Sequence, residues 1–406
     1  VAMSYSALAE QLAQRGVDIE QVKQRLKAQR IETPSWGYGN SGTRFKVFPW
    51  RGAARNVYEK LQDASVVHRF TGVCPTVALH IPWDKVDDWH ALSQYAESLG
   101  IRIGAINPNL FQDDSYKLGS LCHPDPAVRQ QAIAHIEECI QIAHAVGSTV
   151  ISLWLADGTN YPGQDDFRAR KHRLLESLQA LYPKLGGCRL LIEYKFFEPA
   201  FYHTDIPDWG VAYSLALKLG EKAQVLVDTG HHPQGTNIEH IVAFLLDEGK
   251  LGGFHFNDRR YADDDLTLGS IDPYQVFRIF HEIHLYEFET GKRPDIAYMI
   301  DQSHNLKGKI EEMIQTAITA QELYAKAALV DRARLVRHQE RCELVDAEEC
   351  LKAAFATDVR PYLREWRRAK GLPEDPLAAF RASGYQQRID RERAEKNLAS
   401  AGGGYA

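Results

Sequence analysis

Four apolar runs in the second half of the chain each lead into a side chain able to hold a metal ion. "RLLIEYK" (189–195) brings Glu193, "AQVLVDTG" (223–230) brings Asp228, "GGFHFND" (252–258) carries His255, and "IAYMIDQS" (296–303) brings Asp301. A buried carboxylate without a partner is costly, so four such positions in succession point to a shared cation rather than to four unrelated turns. A second set lies close by: His231 follows Asp228 by three residues, and "NDRRYADDDL" offers Asp263 and Asp265 after His255. In an extended loop, residues two apart point the same way, so Asp263 and Asp265 are expected to grip one ion with His231 while Asp264 faces out. Taken alone, "ADDD" would be a solvated acidic loop; its place after His255 favours a second site. Carboxylates and imidazoles without thiolate suit two divalent ions, Mn²⁺ first, with Co²⁺, Mg²⁺ or Zn²⁺ as alternatives.

Lys195 lies two residues beyond Glu193 and shares its face if the strand continues. There it is either a fixed cation for a developing alkoxide or carbonyl oxygen, or the ion-pair partner of a metal-binding carboxylate. "LHIPWD" offers His80 and Trp83, and Trp36 and Trp154 stand at two other strand ends. These rings either line a mouth for a polyhydroxylated ligand, stacking on its C–H faces, or plug a barrel.

Such residues converge only if the elements carrying them are parallel and adjacent. Short β-branched runs alternate with stretches of helical period, and eight strand candidates can be marked: 32–39, 76–83, 101–109, 149–156, 189–195, 223–230, 252–258 and 296–303. The first, "ETPSWGYG", is the weakest, because Pro and Gly interrupt it. Eight βα units predict an α/β fold, a TIM (β/α)8 barrel, whose active sites gather at the C-terminal ends of the strands. The expected organisation is a helical segment over 1–30, the barrel over 31–325, and a helical extension over 326–406 ending in the glycine-rich "AGGGYA".

Composition sets further bounds. With 44% hydrophobic and 25% charged residues and a formal charge of −6, the chain has no nucleic-acid footprint, so the expected partner is a small molecule. The runs "REWRRAK" and "RIDRERAEK" are diluted by acidic neighbours and read as solvated helix faces. No apolar stretch approaches the roughly 20 residues of a bilayer span, and the first residues lack a basic-then-apolar signal, so no membrane association and a cytoplasmic location are expected. The six cysteines form no C-x-x-C pair and suit reduced thiols.

The combination "PSWGYGNSGTRF", "LHIPWDK", "LWLADGTNYPGQ", "EPAFY", "VDTGHH", "GGFHFNDRRYADDDL" and "MIDQSHN" resembles the L-rhamnose isomerases of the broad-specificity, Pseudomonas-type kind, within the xylose-isomerase-like barrels. The resemblance spans nearly the whole chain. It implies an aldose–ketose isomerase acting on L-rhamnose by a metal-assisted 1,2-hydride shift, and on other pairs such as D-allose and D-psicose. Glu193, Asp228, His255 and Asp301 would hold the substrate-binding ion, and His231, Asp263 and Asp265 the catalytic one. Lys195 would meet the reacting end of the sugar, His80 would serve ring opening or hydroxyl recognition, and Asp301 would be the base if a proton route replaced the hydride shift. Trp36, Trp83 and Trp154 would wall the pocket, with Ser303 of "MIDQSHN" in the same sugar-binding set. Phe45, in "GTRF", would reach from a neighbouring subunit of a homotetramer. Tyr194 departs from the histidine common at that place and is expected to face away from the mouth. The rival reading is a single-metal ketose 3-epimerase of the same fold; a sugar-binding barrel without catalysis is the non-enzymatic alternative.

Overall fold

All eight apolar runs contain a strand in the computed structural model, which describes residues 4–42, 47–198, 202–261, 263–303 and 306–397. They are β1 (Glu32–Pro34), β2 (Thr76–Ile81), β3 (Arg102–Pro108), β4 (Val150–Leu153), β5 (Arg189–Glu193), β6 (Ala223–Asp228), β7 (Leu251–Phe256) and β8 (Ala297–Ile300). Each pairs in parallel with its sequence neighbours, and β1 pairs with β8, so the sheet closes into a barrel. The run expected as a strand over 32–39 is shorter than its pattern suggested. Pro34 ends β1 and Ser35–Tyr38 winds as a 3₁₀ turn. Gly37 is required in that turn, because a Cβ there would stand 2.8 Å from the carbonyl oxygen of Gln302.

The two-residue period of the strands lays down the interior. Ala78, Leu191, Leu226 and Met299 form an apolar floor inside the barrel. Two residues further along the same faces stand His80, Glu193, Asp228 and Asp301. A separate, larger core fills the space between strands and helices. The helices start at the mouth, and Asn56, Asp88, Asp125, Asp166, Asp208, Asn237 and Asp272 each cap one by accepting a backbone N–H. Helices Tyr5–Gln14 and Ile19–Ala28 precede the barrel, and from Arg332 onward the described chain is a series of helices. Among the described residues no helix is long and apolar enough to cross a membrane.

Two histidines of the helix Pro273–Thr290 are core residues. Burial, helped by Arg332, pushes His281 down to about 3, and burial pushes His284 down to about 4. Unfolded, each would take a proton near pH 6.5; folded, each refuses it. The stability they confer is therefore complete above pH 6.5 and falls as the pH drops toward 4, by about 1.4 kcal/mol per histidine per pH unit. His281→Leu is expected to flatten the fall of the unfolding free energy across that window by one histidine's share, and an unchanged slope in denaturant titrations would refute the assignment.

Candidate active site

Glu193 closes β5, Asp228 closes β6, His255 lies one residue before the end of β7, and Asp301 follows β8 directly. Register aligns them, since Asp228 pairs with His255 and the Asp301 N–H donates to the Phe256 carbonyl across the next gap. The ligand atoms of these four side chains all lie within 4.8 Å of one another. His255 Nδ1 is the hub, 3.2 Å from Glu193 Oε1, 3.9 Å from Asp228 Oδ2 and 3.8 Å from Asp301 Oδ2.

The charges in this group are crowded. Burial, with repulsion from Glu193 and Asp301, raises Asp228 to about 7, and burial raises Asp301 as well. Against the burial that opposes charging it, His255 is raised to about 10 by Glu193, Asp301 and Asp228. Burial also works to raise Glu193, yet His255, His231 and Lys195 hold it below the usual carboxylate value. Three carboxylates competing for protons around one imidazole, in a donor set free of thiolate, fit a hard or borderline divalent ion.

The second set is only partly assembled. His231 Nε2 is 2.9 Å from Asp263 Oδ1 and 3.8 Å from Asp228 Oδ2, while Nδ1 stands 3.1 Å from the Tyr194 carbonyl. Its neighbours Asp228, Asp263 and Glu193 raise it to about 9 in spite of burial. Asp265 places Oδ2 3.4 Å from Ser303 Oγ and leaves Oδ1 buried without a partner, and burial with the charge of Asp263 raises its pKa well above the usual carboxylate value. Among the described residues, His231, Asp263 and Asp265 do not form a group with all donor atoms within 4.8 Å. The loop is not extended as the pattern suggested: Asp263 and Asp265 take left-handed φ of 54° and 48°, a conformation Asp tolerates better than most residues. Asp264 accepts from the N–H groups of Arg260 and Tyr261 in exposed hydrogen bonds.

Lys195 is buried and donates to Asp263 Oδ2 at 2.5 Å and to Glu198 Oε2 at 2.9 Å, with Nζ 5.2 Å from the Trp154 ring centre. Those carboxylates hold its pKa above the ordinary value despite burial, and Lys195 in turn helps hold Asp263 far below the usual range. The aromatic side of the mouth is continuous. His80 stacks on Trp83 at 3.9 Å and meets Trp36 edge-on at 5.6 Å, and Phe111 bridges to Trp154 at 5.0 Å. Trp36 is tied to the four-residue group, since its Nε1–H donates to Asp301 Oδ1 at 2.8 Å. Burial pushes His80 down to about 3, so it is neutral, and its Nδ1 is buried without a partner.

A family model described as "Xylose isomerase-like TIM barrel" matches residues 69–304, more than half of the chain. The chain belongs to the xylose isomerase-like TIM barrel family. A probable sugar isomerase of Rhizobium meliloti strain 1021 is 46% identical over 98% of this chain and 94% of that one. A probable sugar isomerase of Mesorhizobium japonicum is 43% identical over 96% of this chain and 92% of its own length. The xylose isomerase of Thermus thermophilus is 26% identical over 58% of this chain and 64% of its own.

In this xylose isomerase-like barrel the mouth brings together Glu193, Asp228, His255, Asp301, His231, Asp263, Lys195, His80, Trp36, Trp83 and Trp154, with Asp265 and Ser303 at one side. Phe45 lies outside the described residues. Several residues at the site had drawn no notice in the sequence. Phe111 completes the ring wall; Glu198 holds Lys195; Asn257 donates to Asp228 Oδ1 at 3.0 Å. Asn107 pairs in register with His80 and so shares its inward face, a signal that the two-residue period from Ala105 could have given. Tyr194 faces away from the mouth, its hydroxyl 2.6 Å from His232 Nε2.

Proposed function

We propose that the protein is a metal-dependent aldose–ketose isomerase that interconverts L-rhamnose and L-rhamnulose and accepts further pairs such as D-allose and D-psicose. The observation that carries this reading is the Glu193–Asp228–His255–Asp301 group, joined through His231 and Asp263 to Lys195 at the barrel mouth. Relatives named as probable sugar isomerases, alike over nearly the whole length, support it. The choice of L-rhamnose rests on the motif resemblance.

Turning an aldose into its ketose moves the hydrogen of C2 to C1, while a proton leaves O2 and one arrives at O1. Glu193, Asp228, His255 and Asp301, with His231, Asp263 and Asp265 as the second set, would hold divalent ions, Mn²⁺ first among them, that would supply Lewis acidity to the sugar oxygens. With two of its N–H groups engaged by Asp263 and Glu198, Lys195 keeps a third for an oxygen at C1 or C2 as negative charge develops there. Neutral His80 can either donate to or accept from a sugar hydroxyl. Trp36, Trp83, Phe111 and Trp154 stack on C–H faces and keep water from the reacting carbons.

Turnover of L-rhamnose is expected to vanish after dialysis against EDTA and to return with Mn²⁺; full activity without bound ion would sink the reading. With sugar deuterated at C2, a hydride shift carries the label to C1 of the product, whereas label lost to water would show a proton route, for which Asp301 is the candidate base. Among the described residues, His231, Asp263 and Asp265 do not bring all their donor atoms within 4.8 Å of one another, which favours one alternative, a ketose 3-epimerase using a single ion. Ions counted per chain separate the two, as does the product: an epimerase forms no aldose.

A further inference from the structure

Beside the mouth lies a buried cluster that the chemistry above leaves unused. Cys122, Asp157 and Asp205 present donor atoms within 4.8 Å of one another. The positive charge among them belongs to Arg170 of the helix Phe167–Leu181, whose side chain is only 3% exposed. Its Nε and Nη2 donate to Asp205, at 2.9 and 2.7 Å to Oδ1 and Oδ2, and Nη1 donates to Asp165 Oδ2 at 3.0 Å and to the Leu118 carbonyl at 3.2 Å. Nη2 also reaches Cys122 Sγ at 2.9 Å. The thiol lies 3.1 Å from Asp157 and 3.2 Å from Asp205. Burial and these carboxylates raise its pKa well above the ordinary value, so it is a donor rather than a thiolate ligand. One guanidinium thus holds Asp205, Asp165 and Cys122 and joins the loops after β3, β4 and β5, while Asp157 accepts from the Ser120 N–H and hydroxyl.

The consequence reaches Lys195 through the main chain. Both residues flanking Asp205 are bonded to it: the Lys195 N–H donates to the Ile206 carbonyl at 3.0 Å, and the Thr204 hydroxyl donates to the Lys195 carbonyl. Asp205 itself donates its N–H to the Asp157 carbonyl at 2.9 Å. The backbone of Lys195 therefore hangs on a three-residue segment whose central side chain is held by Arg170.

We propose that Arg170 is a positioning residue: by gripping Asp205 it fixes residues 204–206, and through them the place of Lys195 Nζ against Asp263 at the mouth. Its functional consequence rests on the reading of Lys195 as the cation that meets the sugar. A lysine at 170 keeps the charge but loses the planar fork that reaches Asp205, Asp165 and Leu118 together. Arg170→Lys is expected to lower kcat on L-rhamnose by about tenfold to a hundredfold, the scale of a small misplacement of a reacting group, with bound ion and circular dichroism unchanged.

A cycle with Lys195→Met separates positioning from general support of the fold. If Arg170 acts through Lys195, adding Arg170→Lys to Lys195→Met costs less than about twofold further; losses that multiply as independent effects would overturn the proposal. So would full kcat in the single variant. Should Arg170→Lys fold poorly, Asp205→Asn weakens the same grip with little change of shape and is expected to give the same coupling. Wild-type turnover is read first, so a failure of the isomerase reading shows on its own. Crystal structures of the two variants test the positioning without any activity: Lys195 Nζ should leave Asp263, and an unmoved lysine would refute it.

Discussion

Asp228→Asn is expected to cut turnover on the order of a thousandfold while the ion-free protein unfolds at the same or a higher temperature. Asp228 is fully buried, and burial with repulsion from Glu193 and Asp301 lifts its carboxyl to about 7. An amide of nearly the same shape removes that repulsion. Its oxygen can still accept from the Gly230 N–H, 2.6 Å from Oδ1, and the partnerless Asn257 Oδ1 gives the new amide something to meet after a flip. A gain of about 1 kcal/mol is the usual size when strain stored at a functional site is released. The metal ligand proposed at this position is central, however, and losing a directed charge at a reacting centre costs on the order of a thousandfold. Calorimetry in EDTA, ion content and kinetics together check the two signs. A clear drop in the ion-free midpoint would mean that Asp228 serves the fold rather than an ion.

The second large effect lies far from the mouth. Arg393→Met is expected to lower the unfolding free energy by about 3–5 kcal/mol, the cost of leaving a buried charge unpaired. Arg393 is 2% exposed and donates to Asp63 Oδ2 at 2.7 Å, to Asp63 Oδ1 at 3.0 Å and to the Gly52 carbonyl at 2.9 Å. Asp63, 1% exposed on the helix Val57–Thr71, also accepts from the Tyr385 hydroxyl at 2.8 Å. The methionine variant leaves that carboxylate with a hydroxyl alone. Thermal midpoints and limited proteolysis of the helix Tyr385–Asn397 check this, and the double variant Asp63→Leu with Arg393→Met should recover much of the loss. If the single variant is as stable as the parent, the pair is ornamental.

These two sites mark where sequence reading succeeds and where it stops. Asp228 was legible because a strand's period and its end are local, and an aspartate at the end of "VLV" contradicts the apolar pattern before it. The same holds for Glu193, His255 and Asp301, and for all eight strands. Arg393 was read as part of a solvated face in "RIDRERAEK", and nothing within that helix could have said otherwise, since its partner lies 330 residues earlier. The Arg170 cluster was unreadable for the same reason: its three acidic and thiol partners, Cys122, Asp165 and Asp205, come from separate loops. The 263–265 loop failed differently. Its spacing was right for neighbouring side chains, but the two left-handed aspartates turn the chain, and a residue's tolerance of that conformation does not announce its use.

The acidic character of the mouth bears on which sugars meet it. Glu193, Glu198, Asp263, Asp265, Asp228 and Asp301 gather at the mouth with Lys195 paired to two of them, so the field of the mouth draws dissolved cations and speeds their capture. With the two divalent ions of the proposed function in place, the carboxylates would be nearly balanced. A phosphorylated sugar then finds no surplus of positive charge to draw it in, and its phosphate would have to lie among rings and carboxylates. An uncharged monosaccharide meets no such barrier. On the proposed reading the mouth therefore sorts sugars by charge before it sorts them by shape, favouring those that carry no phosphate.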